Sequence, residues 1–125
     1  MEMKTDGFYT VIRREEPEEG KLTVQIRLHR EHWIYQVHFP AMPVTPGVCI
    51  LQLIGELLSA RLQTPVQLAY GKNIKFLRLI QPEEFPEIEV GLAYETAGDT
   101  VQVHADVRRG EIIFVKTSLV FTIPC

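Results

Sequence analysis

Residues 47–62, GVCILQLIGELLSARL, decide how the chain is read. They run without a proline, the Pro46-Gly47 pair marks a helix start, and QTPVQ at 63–67 stops it. Leucine and isoleucine fall on most of the circumference, so a helix here has no side to show to water and must be enclosed. What encloses it has to come from the rest of the chain.

On the N-terminal side, LTVQIRL at 22–28 alternates Leu22, Val24, Ile26 and Leu28 with polar neighbours, the period of a strand with one buried face. GFYTVIRR at 7–14 reads as its hairpin partner, with EEPEEGK at 15–21 as the turn. Downstream, AYGKNIKFLRLI (69–80), EIEVGLAYE (87–95), TVQVHADVRR (100–109) and EIIFVKTSLVFTI (111–123) are four further strands, punctuated by QPEEFP, TAGD and RG. Strands joined by short turns around one long helix predict an α+β architecture with an antiparallel sheet covering the helix. The chain shows no repeat, low-complexity stretch or linker, so residues 1–125 read as one domain.

The composition is 46% hydrophobic and 23% charged, which suits a globular chain rather than a disordered one. A net charge of -3 argues against general nucleic-acid binding, although Arg13, Arg14, Lys72, Lys75, Arg78, Arg108 and Arg109 offer basic groups to a local acidic partner. Two cysteines, Cys49 and Cys125, make neither a disulfide framework nor a metal-ligand set, and fit a reducing, cytoplasmic setting. MEMKTDGFYT has no apolar signal core, and the apolar runs are too short to insert in a bilayer.

Immediately before the helix stands HFPAMPVTPGV, residues 38–48. It resembles the His-Phe-Pro-Gly-x-Pro-Val-x-Pro-Gly-Val signature of the (3R)-hydroxyacyl-[acyl-carrier-protein] dehydratases, the FabA/FabZ branch of the hotdog-fold superfamily. IKFLRLIQPEE (74–84) is similar to that family's Phe-Arg-Arg-Pro-Val-x-Pro-Gly-Asp strand and turn, and residues 98–123 to its closing hairpin. The longer N-terminal segment of many members, with its early helix, has no counterpart in this reading. The resemblance implies a hotdog fold, a homodimer or dimer-based oligomer that pairs its sheets, active sites between subunits, and no metal or redox cofactor. It implies as substrate a 3-hydroxyacyl thioester on an acyl carrier protein, with coenzyme A as the alternative carrier.

Dehydration of such a thioester needs a base for the C2 proton, an acid for the departing 3-hydroxyl, and donors for the carbonyl oxygen. His38 matches the family's catalytic histidine, whose near-neutral pKa suits the proton transfer. Gly47 and Val48 offer backbone N–H groups at the positive end of the helix dipole, and Phe39 and Pro40 complete the substrate-binding residues that the resemblance implies. Prolines 40, 43 and 46 stiffen the loop. The family's glycines beside the motif are Val37 and Ala41 here, and its acid is Gln52, an amide that holds a hydroxyl or water but delivers no proton as an acid does. Glu56 follows one helical turn later on the same face, where many members have glutamine, so acid and amide read as exchanged. A glutamate on an apolar helix also suits pairing with an arginine across a subunit boundary.

His29 and His32 have a metal-like spacing without a further ligand cluster, His104 has no visible partner, and Cys49 reads as a small core residue. Two rivals use the same fold: a non-catalytic acyl-binding subunit that needs an active partner, and a thioesterase in which Glu56 directs water at the carbonyl.

Overall fold

The structure is a computed structural model that describes residues 7–37 and 43–124. Its elements are β1 (Tyr9–Glu18), β2 (Lys21–Leu28), α1 (Trp33–Val37), α2 (Gly47–Leu62), β3 (Gln67–Phe76), β4 (Glu87–Ala97), β5 (Thr100–Arg109) and β6 (Ile112–Thr122). The strands form one antiparallel sheet in the order β1-β2-β4-β5-β6-β3, curved around α2 as the sequence predicts. Alternation decides which side chains meet the helix. Leu22, Val24 and Ile26 of β2 stand level with Leu92, Val90 and Ile88 of β4, and Val101, Val103 and Val107 of β5 level with Phe121, Leu119 and Val115 of β6, all buried. Against them α2 buries Cys49, Ile50, Leu53, Ile54, Leu57 and Leu58. Each of the five aliphatic residues among these contributes about 1.5–3 kcal/mol. No helix among the described residues is long and apolar enough to cross a membrane.

Three local differences from the sequence reading have physical causes. β1 continues through Pro17 to Glu18, leaving only Glu19 and Gly20 as the turn, where Gly20 takes a φ of 82°. Proline is tolerated there because β1 is an edge strand whose register shifts between Glu15 and Glu18. β3 starts at Gln67 and ends at Phe76, short of the expected Ile80. Beyond it the Leu77 N–H donates to Phe114 O at 2.7 Å and the Thr45 N–H to Ile80 O at 2.8 Å, so the segment leaves the sheet to bind the approach to α2. The short helix α1 has no counterpart in the sequence reading; five residues are too few for a helical period to show. It is anchored by buried Ile34 and Tyr35 and begins where the Ile34 N–H donates to His32 Nδ1 at 3.1 Å.

One buried bond joins α1 to the segment leading into α2. Tyr35, with no exposed surface, shares a hydrogen bond of 2.9 Å with the hydroxyl of buried Thr45. Burial pushes the Tyr35 phenol up to about 12. This bond spans residues 38–42, the part of the motif that carries His38.

Candidate functional site

His38, Phe39 and Pro40, together with Ala41, lie outside the described residues. The described part of the site is the start of α2, one stripe along it, and what β1 brings to that stripe. Pro46 precedes the helix in an extended conformation and makes no side-chain cap; its carbonyl receives the N–H groups of Cys49 and Ile50. Gly47 and Val48 precede those amides at the positive end of the helix, where an oxygen carrying negative charge gains from the dipole. Phe76 lies on Gly47 so closely that a Cβ there would come within 2.7 Å of the ring. Glycine at 47 therefore lets an aromatic side chain cover the helix start. Around it Val48, Phe76 and Leu77 are exposed, an apolar surface suited to an acyl chain or a second subunit.

Gln52 and Glu56 are half-buried and one turn apart on α2, in line with Cys49. Burial, and secondarily the charge of Glu56, pushes the Cys49 thiol up, which makes it a poor nucleophile and fits a core residue. Tyr9, the first residue of β1, donates its hydroxyl to Glu56 Oε1 at 2.6 Å. Tyr9 packs edge-on against Phe8, whose ring stands 6.2 Å from His32, which stands 5.3 Å from Trp33 of α1. Thus the carboxyl is tied to the element that leads directly into the motif. Sequence reading missed Tyr9: the contact joins residues 47 positions apart, and Tyr9 looks like any alternating strand aromatic.

The remaining candidates divide. His29 bonds the Thr10 hydroxyl, His32 caps α1, and His104 Nδ1 bonds Ser118 Oγ at 2.9 Å. Among the described residues no three His, Cys, Asp or Glu side chains gather as metal ligands. Most of the basic residues have separate local partners. Arg13 pairs with Glu15, Arg78 lies over Phe85, Arg109 donates to Glu87 O and Lys72 to Gln102, while Lys75 and Arg108 border a common cavity on the far side of the sheet. Arg61, near the end of α2, is held by Glu16, which also accepts from Tyr94, a clasp between helix, β1 and β4.

Residues 13–113 match the family described as ApeI-like, ApeI dehydratase. A search of curated proteins finds no match to the sequence. The structure is similar to a chain of the dehydratase heterocomplex ApeI:P from Xenorhabdus doucetiae, with a TM-score of 0.73 and 16% identity over 90% of this chain and 96% of that one. It is also similar to smu.793 from Streptococcus mutans UA159 bound to acetyl-CoA, with a TM-score of 0.66 and 11% identity over 98% and 94% of the two chains. A hypothetical thioesterase with coenzyme A from Streptococcus pneumoniae TIGR4 matches with a TM-score of 0.64 and 12% identity over 93% and 85%. Identities this low establish the fold: a hotdog, one long helix wrapped by a curved antiparallel sheet.

Proposed function

The chain belongs to the ApeI-like dehydratase family, and from that premise we propose that it removes water from 3-hydroxyacyl thioesters on an acyl carrier protein, giving trans-2-enoyl thioesters by FabA/FabZ-type chemistry. The family match across residues 13–113 carries this reading. In the proposed step His38 takes the C2 proton and the C2–H electron pair becomes the C2=C3 bond. The 3-oxygen leaves with the C3–O pair and a proton from the Glu56 carboxyl, as water. The amides of Gly47 and Val48 hold the thioester oxygen while charge builds on it, and Gln52 holds the hydroxyl or the released water. Proton return from imidazolium to carboxylate resets the pair. The Tyr9 hydroxyl supports the role given to Glu56, because its hydrogen bond to Oε1 fixes where the carboxyl points. Phe39 and Pro40 line the acyl group in this proposal.

The working unit in this reading is a cytoplasmic homodimer of single hotdog domains joined through β3. That edge strand is exposed along its whole length and presents Leu68, Tyr70, Ile74 and Phe76. The structural likeness to a dehydratase heterocomplex supports, as the alternative, a second and different hotdog chain at the same edge. The coenzyme A and acetyl-CoA neighbours favour one other reading, thioester hydrolysis with Glu56 directing water. Mass spectrometry of protein mixed with 3-hydroxyacyl and enoyl thioesters, on carrier protein and on coenzyme A, separates these. Loss or gain of water supports the dehydratase, a free acid supports hydrolysis, and no turnover until a partner chain is added supports a non-catalytic subunit.

A further inference from the structure

We infer that the sheet face turned away from α2 carries a binding site for a phosphate-bearing small molecule. A cavity of about 560 Å³ opens there, within the range of small-ligand pockets. Two transverse rows of side chains build it. One runs Thr23, Gly91, Asp106, Lys116, Lys75 across β2, β4, β5, β6 and β3, and the other runs Lys21, Ala93, His104, Ser118, Asn73. Gly91 and Ala93 make a low floor in the middle of the sheet, where a ligand can approach the backbone.

The charges are arranged for an anion. The Asp106 carboxyl lies down on Gly91: a Cβ at 91 would come within 2.9 Å of Oδ1, so any larger residue would push the carboxyl up into the cavity. Oδ1 is sealed from solvent with no hydrogen-bond donor, and its ion partner is Arg108 at 3.9 Å rather than the facing Lys116. One carboxylate oxygen is thereby withdrawn, and although the Asp106 side chain stays 37% exposed at the cavity wall, Lys21, Lys75, Arg108 and Lys116 outnumber it there. Lys75 and Lys116 stand directly opposite each other, and neither has an ion pair among the described residues. Like charges directly opposite across strands are destabilising. The chain maintains this repulsion although its net charge is -3. A phosphate between the two ammonium groups converts it into charge-assisted hydrogen bonds, and the amide of Asn73 and the His104–Ser118 pair stand in the adjoining row to complete the shell.

Calorimetric titration with inorganic pyrophosphate at fixed ionic strength tests the site, comparing wild type with Lys75→Ala/Lys116→Ala. Wild type is expected to bind saturably, one pyrophosphate per chain, with affinity falling as salt rises. The variant is expected to bind more weakly by at least about a hundredfold, for two lost charge-assisted bonds. Melted without pyrophosphate at low salt, the variant is expected to be at least as stable as wild type, because the repulsion is gone. Absence of saturable binding by wild type, equal binding by both proteins, or a lower melting temperature for the variant would overturn the inference. So would loss of carrier-protein binding in the variant where wild type binds no pyrophosphate, which would assign the lysines to carrier docking.

Discussion

Tyr35→Phe removes one hydroxyl from a side chain with no exposed surface, and so isolates the bond that spans the His38 segment. A hydrogen bond of this kind contributes about 1 kcal/mol net, and stranding a buried partner adds about 1–3 kcal/mol. The Thr45 hydroxyl, left alone by Tyr35→Phe, belongs to a residue 8% exposed and keeps some access to water, so the cost should be about 1.5 kcal/mol. Thr45→Val instead strands a phenol at 0% exposure, and should cost more, about 2.5 kcal/mol. Making both changes leaves two apolar groups facing each other, at less than about 1 kcal/mol in total. Urea unfolding of the four proteins measures this as shifts of the midpoint at constant m-value. In melting experiments each kcal/mol corresponds to about 4 °C for a chain of this size. If the double variant loses the sum of the two single losses, the residues are uncoupled and the bond does not hold α1 to the approach of α2.

Other outcomes follow from the same structure. Because the Tyr35 phenol is raised to about 12 in the folded protein, its contribution is intact below pH 10 and lost as pH climbs toward 12; alkaline unfolding followed at several pH values should show this slope in wild type and a shallower one in Tyr35→Phe. Glu16 behaves in the opposite sense: the hydrogen bond from Arg61, then that from Tyr94, hold its carboxyl below the ordinary 4.5, so its contribution is present above that pH and fades as pH falls through the lowered value. Acid titration of stability in Glu16→Gln should therefore be flatter than in wild type. With Cys125 changed to serine, Cys49 should resist iodoacetamide at pH 8 until urea unfolds the chain, as mass spectrometry would register, whereas rapid labelling of the native protein would contradict its burial.

Where local pattern and tertiary environment agree, the sequence was a sufficient guide. The helix 47–62 and strand 100–109 occur with the expected bounds, because each is periodic and flanked by its own stop signals. The errors lie where long-range pairing overrides local chemistry. Pro17 looks like a turn residue until β1 is seen to be an edge strand, and 77–80 look like strand until their backbone is seen to bind elsewhere. At the site, the one-turn relation of Gln52 and Glu56 follows from helical spacing alone, and it holds. The Tyr9 partner of Glu56 was not legible, since only the folding of β1 back over α2 brings the two together. Likewise, the sequence offered Lys75 and Arg108 as members of a basic set, but the meeting of Lys75 with Lys116 depends on strand register.

The role of Glu56 is most directly tested by the hydration rate of an enoyl carrier thioester, measured for wild type, Glu56→Gln and Glu56→Gln/Gln52→Glu. A positioned acid is worth roughly 10²–10⁴-fold, so the single variant should lose activity on that scale. Moving a carboxyl to position 52, the place of the acid in the FabA/FabZ pattern that the sequence resembles, should restore part of it. A single variant as fast as wild type would contradict the account, leaving Glu56 a structural partner of Tyr9 and not the proton donor.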